Sequence, residues 1–404
     1  HDAPESMNPN PPPSWLPAAI AGLCATLIGL GLGRFAYVPL FPLMIDAGWT
    51  SASGASQLAA ANLIGHLVGA VAAHRLALHV GASTAVRGSM IALLLSMLCC
   101  SVNLGFGWLW LWRLVAGASG CVLLIVAPPT ILASVPAAVR GKTIGLVFCG
   151  IGSGIILSGF TVPAFGAAHL EAAWLALAAL VAVASIIAWP AFRTPGIVAP
   201  LPAAVQPRLI PAGALLTLLC AYVLDAVGSL PHTVFWVEYL VHGLHQPLSA
   251  GGTSWVIFGA GAAVGPLLTG YAADRIGFHR TLIAGFALKA ASVALPLLST
   301  SMTALSASSF VVGALTPGLG AAVSGRVIEI AGGAAHQRSW AMLTFAFAVL
   351  QAAGGYAMAV LYGATASFTL IFAIGAVALA VAAAIIAFGS KEPLCDPVSS
   401  AARR

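Results

Sequence analysis

Four side chains carry charge where their neighbours are almost all apolar: Arg34, Arg113, Asp225 and Lys289. At bilayer depth a charged side chain costs about 2.5–3.5 kcal/mol on insertion scales, so each needs a partner or a wet cavity. An acid in that position can take and release a proton, and a guanidinium can hold an anion. Asp225 is read as the proton-coupling acid. Arg34 is read as its stabiliser or as the ligand of an anionic group, with the two facing each other; the competing reading is a static ion pair. His232 follows Asp225 by seven residues, hence on the same helical face, and is read as a proton relay. A merely hydrogen-bonded histidine beside Pro231 is the alternative. If Lys289 faces the same cavity, Arg34, Arg113 and Lys289 outnumber Asp225 and favour an anionic organic solute. A Lys289 turned to another helix or to lipid headgroups removes that preference. Asn62 and His66, four apart on one helix face, join Tyr37 and Gln351 as candidate substrate-binding groups, with polar links between helices as their other possible role.

The elements that must position these groups follow from composition. Of the 404 residues 60% are hydrophobic and only 6% charged, with a mean hydropathy of +1.02, against roughly 25% charged in soluble domains. A helix of about 20 apolar residues crosses a hydrocarbon core of about 30 Å. Twelve such runs are predicted, over 15–44, 57–78, 88–104, 108–135, 143–165, 172–192, 211–240, 253–273, 281–298, 305–323, 340–362 and 367–388. Continuous runs exclude a barrel of short alternating strands. The expected fold is therefore an all-α membrane protein, its twelve spans divided by the proline-rich stretch 194–210 into six-helix bundles at 15–193 and 211–390. Residues 1–14, which lack a signal peptide's basic start, and 391–404 read as cytoplasmic tails, the first disordered.

Basic residues set the orientation, because cytoplasmic loops retain Lys and Arg. Apart from Arg34, Arg113 and Lys289, every one follows an even-numbered span: Arg75, Arg87, Arg140, Lys142, Arg193, Arg208, Arg275, Arg280, Arg326, Arg338, Lys391, Arg403 and Arg404. Both termini are expected in the cytoplasm and the chain in a bacterial-type inner membrane. The net charge of +6 then reports topology, and no nucleic acid is expected as a partner.

Other chemistries find little support. The seven cysteines include no CxxC pair, so neither a disulfide framework nor a thiolate metal site is indicated. Gly141-Lys142-Thr143 ends like a phosphate-binding loop, but Pro136 stands where its first glycine belongs. Glu238, His242 and His245 share a helix face at metal-ligand spacing, with an ordinary polar loop as the favoured reading. HExxH and GxSxG are absent, so no enzyme, cofactor or metal is expected.

The stretch Gly270-Tyr-Ala-Ala-Asp274-Arg275-Ile-Gly277-Phe-His279-Arg280 resembles the signature loop of the major facilitator superfamily. Its first-half counterpart keeps Arg75 but has His74 where the acid is expected. Arg113-Leu-Val-Ala-Gly117-Ala-Ser-Gly120 is similar to the fourth-helix arginine motif, with Ala116 replacing a common Gln, and 135–142 looks like the loop that follows it. The segments 31–44 and 56–70 resemble the YbfB/YjiJ-type branch. The resemblance implies pseudo-symmetric six-helix halves, a midplane site and alternating access. It implies a cytoplasmic gate of Arg75, Arg140, Asp274, Arg275 and Arg280, and a buried role for Arg113. The proline of the antiporter version of the span-five motif is missing. A monomeric secondary transporter of a small, anionic organic solute, coupled to protons, is expected; a proton antiporter exporting amino acids, drugs or metabolites is the alternative, ahead of a membrane enzyme or a receptor.

Overall fold

The computed structural model describes residues 15–193 and 212–389, and shows helices with no strand among them. The tails and the linker expected at 1–14, 194–210 and 391–404 lie outside the described residues. Twelve helices are long and apolar enough to cross a membrane. They are α1 (Trp15–Asp46), α2 (Ala52–Val80), α3 (Ala82–Cys100), α4 (Phe106–Ala133), α5 (Arg140–Thr161), α6 (Leu170–Phe192), α7 (Gly213–Val234), α8 (Leu248–Ile276), α9 (Phe278–Leu298), α10 (Met302–Gly332), α11 (Arg338–Thr365) and α12 (Phe368–Phe388).

Three departures from regular helix matter. The middle of α1, Leu27–Phe35, is wound as a π-helix, a geometry often found at functional sites. Beyond α7 the chain continues in short helical pieces, Trp236–Glu238 and Tyr239–Gly243. Finally, α10 and α11 are nearly continuous, parted by a kink at Gly332 with φ 73°.

Equivalent helices of the two sets make equivalent contacts. A Cβ at Gly65 of α2 would overlap the Leu114 carbonyl of α4, and one at Gly265 of α8 would overlap the Ala314 carbonyl of α10. Without a hydrophobic force between helices in lipid, such small residues let backbones approach and gain dispersion contact. Gly81 and Gly277 close α2 and α8 at φ 85° and 82°, a left-handed conformation that costs glycine least. The buried apolar side chains form two clusters. One is built mostly from α1–α6 and the other mostly from α7–α12. Leu298, Phe388 and Ile186 instead point outward, as a lipid-facing surface requires.

Between the sets, α5 packs on α8 and α2 on α11. Ser56 donates to the Ala359 carbonyl, and a Cβ at Gly152 would lie 2.6 Å from both the Gly259 oxygen and the Ala263 nitrogen. Those neighbours are backbone and cannot rotate away. Gly152→Val is therefore expected to part α5 from α8, lower the unfolding temperature by the equivalent of about 1–3 kcal/mol of overpacking, and abolish counterflow transport. A wild-type melt with wild-type transport would remove this contact from the working structure.

Candidate substrate site and outer closure

The wide turns of α1 bring a cluster of polar groups together at the core of the molecule. Gly31 of the π-helical segment packs on Gly154 of α5, and Arg34 near the segment's end reaches Gln351 of α11. The Arg34 Nη1 donates to Gln351 Oε1 at 3.0 Å, and its guanidinium lies 5.0 Å from the Phe35 ring centre. Arg113 of α4 is 2% exposed. It donates to the Gly33 carbonyl at 3.3 Å and sits 4.4 Å over the Tyr37 ring. Asn62 of α2 completes the frame, donating to the carbonyls of Gly33 and Arg113 at 3.1 Å each.

Sequence reasoning placed Arg34, Tyr37, Asn62, Arg113 and Gln351 in one group, and they meet here. His66 lies one turn beyond Asn62, half-buried and within electrostatic reach of Arg34. The space left between Arg34, Tyr37, Asn62, Arg113 and Thr233 is about 10 Å³, room for one water at most. Two features mark it as an incomplete polar environment. Among the described residues neither arginine has a carboxylate partner, and Arg113 Nε and Asn62 Oδ1 have no hydrogen-bond partner. Buried polar atoms are normally satisfied, so such exceptions ask for a reason.

The expected facing of Arg34 and Asp225 is not found. Asp225 is 1% exposed and turns into the α7–α12 set, where Lys289 of α9 donates to its Oδ1 at 2.8 Å and to Ser229 Oγ at 2.8 Å. Lys289 is fully buried and spends its charge on Asp225, so it does not join Arg34 and Arg113 as a third uncompensated cation. Its charge is cancelled by Asp225, and Arg34 and Arg113 remain uncompensated. His232 does share a face with Asp225, but its Nε2 meets Ser308 Oγ at 2.8 Å. That hydroxyl donates to the Ser292 carbonyl, so His232 must donate from Nε2, and its ring stacks on Trp236 with centres 4.1 Å apart.

The gate residues are not brought together in this conformation: among the described residues Arg75, Arg140, Asp274, Arg275 and Arg280 form no ion pair. Arg275 lies over Tyr271 of its own helix.

At the opposite, Arg-poor face the sets are joined. His242 Nε2 meets Asp46 Oδ1 at 2.8 Å and its Nδ1 meets Glu238 Oε2 at 2.9 Å, while Tyr362 donates to Glu238 Oε1 at 2.9 Å. Phe41 and Phe235 each pack edge to face on Tyr362, and at a tilt on each other, beside this chain. The hydrogen bond that Glu238 accepts raises the pKa of His242 to about 9 against the opposing pull of burial, with Asp46 adding to the rise. The contribution of the charged imidazole is fully present below the ordinary histidine value of 6.5 and is lost as pH rises through about 9. Sequence reasoning saw the spacing of Glu238, His242 and His245 only as a metal-ligand pattern or a polar loop. The structure uses its first half for hydrogen bonding, and gathers no such group of three ligands among the described residues.

Twelve apolar helices in two packed sets, with buried charge gathered between them, define a multi-pass membrane protein of the transporter class. The sequence matches the family described as "Uncharacterised MFS-type transporter YbfB" over residues 26–387, and the chain belongs to this family of the major facilitator superfamily. It is also similar to "Uncharacterized MFS-type transporter YceJ" of Bacillus subtilis (strain 168), with 24% identity over 272 residues, 65% of this chain and 68% of that protein.

Proposed function

We propose that the chain is a secondary active transporter that moves a small organic anion across the inner membrane by alternating access, coupled to protons. The observation that carries this reading is the pair Arg34 and Arg113, one half-buried guanidinium and one buried one, with no carboxylate partner among the described residues. A buried charge costs several kcal/mol unless it is compensated, and a carboxylate solute compensates it with geometry that suits a guanidinium. Arg34 comes from α1 and Gln351 from α11, so a solute held by both bridges the two sets. Its binding then favours the state in which they close around it.

In this proposal the bundles 15–193 and 211–390 rock about that site as a monomer with both termini cytoplasmic. The basic residues after even-numbered spans support that orientation. Closure at the Arg-poor face, with Arg75, Arg140, Asp274, Arg275 and Arg280 in no ion pair among the described residues, fits a conformer facing the cytoplasm; in the opposite conformer those residues form the gate. Reconstitution into proteoliposomes followed by a counterflow screen of labelled organic acids, amines and sugars tests the reading. Exchange confined to carboxylates, and accumulated against a gradient when the outside is made acidic, is the expected result. Exchange of amines alone would overturn the anion assignment, and accumulation indifferent to the pH gradient would overturn the coupling.

A further inference from the structure

Proton coupling needs a carboxylate at the junction of the two sets, and Asp225 does not stand there. We infer that Glu238 is the proton-binding site of the cycle, loaded from the Arg-poor face through His242. This rests on the proton-coupled reading above.

The geometry is a continuous chain from water to a buried acid. Asp46 lines an open cleft of about 530 Å³ with Trp49, His169 and Glu171, and its side chain is 43% exposed. His242 follows at 33% and Glu238 at 1%. The links are 2.8 Å and 2.9 Å, and an imidazole with partners on both nitrogens can accept a proton at one and release it from the other. At the inner end Glu238 accepts from Tyr362, whose ring packs on Phe41 and through it on Tyr37, the ring beneath Arg113.

The groups around Glu238 explain why one further proton is accommodated. Tyr37 acts on it from α1, Tyr362 from α11 and His242 from its own helix, with Asp46 of α1 on the far side of that imidazole. Arg113 stands behind Tyr37. The neighbouring side chains of α8 and α12 at this end, around Gly251 and Phe368, are not ionisable. With His242 charged and both acids ionised, the trio carries one net negative charge, which one proton neutralises.

The step balances within the trio. The Nδ1–H bond of the His242 imidazolium breaks and an O–H bond forms at Glu238 Oε2, leaving a neutral imidazole that still donates from Nε2 to Asp46. The contact between the sets falls from an ion pair to an ion–dipole hydrogen bond, which loosens the closure. Water at the exposed face then restores the proton to His242, so the net event is uptake of one proton from that face. The closure is loosened while His242 is neutral, because among the described residues the one ion pair between α1 and the chain after α7 is the one the transfer weakens, and it is restored when His242 regains its proton.

Infrared difference spectra of the full-length reconstituted protein on acidification test this with the proton itself as the probe. A protonated-carboxyl band present in the wild type and missing in Glu238→Gln is expected, and after a pH jump its appearance should be about a hundredfold slower in His242→Gln, the usual scale for removing a positioned proton-transfer group. His242 is partly exposed, so its variant reports even if Glu238→Gln folds poorly. A band that persists in Glu238→Gln, or a rate unchanged in His242→Gln, overturns the inference. The coupling reading is judged apart from this: transport indifferent to a pH gradient, with the Glu238 band intact, would sink coupling and leave the proton site standing.

Discussion

Replacing Arg34 by glutamine is expected to weaken binding of the transported anion by about 2–5 kcal/mol, the range found when one partner of a buried charge pair is truncated. In dissociation constants that is roughly thirtyfold to several thousandfold. The size follows from the surroundings. Arg34 is half-buried and its one protein hydrogen bond goes to a neutral amide, Gln351, so its charge has no competitor for an incoming carboxylate among the described residues. Arg34→Lys should fall between the two, because an ammonium keeps the charge but loses the fork that binds both carboxylate oxygens. Gln351→Ala should lose less, since a neutral hydrogen bond contributes about 0.5–1.5 kcal/mol. Direct binding of the anion selected by the counterflow screen measures all three. Wild-type affinity in Arg34→Gln would remove Arg34 from the site, and an equal loss in Arg34→Lys would show that fork geometry, not charge, dominates. Arg113→Gln is a poorer probe, since that side chain also supports the Gly33 carbonyl of α1.

The contrast between Arg34 and Asp225 shows which parts of this molecule a sequence can reveal. Span number and order were legible because a bilayer demands long apolar runs, and such runs survive a wide error in their ends; α2 begins at Ala52 and α8 at Leu248, five residues before the hydropathy alone suggested. The depth of a charge along its span was legible too, since rise per residue is fixed. What depth does not give is azimuth. Asp225, Ser229, His232 and Trp236 were bound to share a face by helical period, yet whether that face met Arg34 or α9 depended on how α7 is rotated in its bundle. Lys289 is 64 residues away in sequence, and nothing local links it to Asp225. The π-helical turns of α1 were hidden for a related reason: no local pattern marks them, and the segment lies against α5 through Gly31 on Gly154, a tertiary contact. Glu238 was missed as a buried acid because its partner Tyr362 comes from α11, and Asp46, which holds the far side of His242, from α1, although its spacing to His242 was plain.

The buried pair gives the sharpest stability test. Asp225→Asn is expected to destabilise the protein by about 3–5 kcal/mol, because it leaves the Lys289 ammonium fully buried without its counter-charge. Removing both charges is a different matter. Asp225→Leu combined with Lys289→Met deletes the desolvation cost of two ions along with their attraction, and such exchanges are often neutral or stabilising by about 1–4 kcal/mol. Ser229 tempers the gain, since it loses the Lys289 proton it accepts, though its own hydroxyl still donates to the Asp225 carbonyl. Unfolding of the purified protein in detergent, followed by heat and by denaturant, should therefore rank the double variant near the wild type and well above Asp225→Asn. An Asp225→Asn protein as stable as the wild type would mean that the pair is not ionised or not formed. The same double variant then separates two functions that the sequence alone had merged in one residue. If it folds and still accumulates its anion on a pH gradient, Asp225 is a structural charge and the proton is carried elsewhere, as a site at Glu238 requires; if it folds but exchanges without accumulating, coupling belongs to the Asp225–Lys289 pair instead.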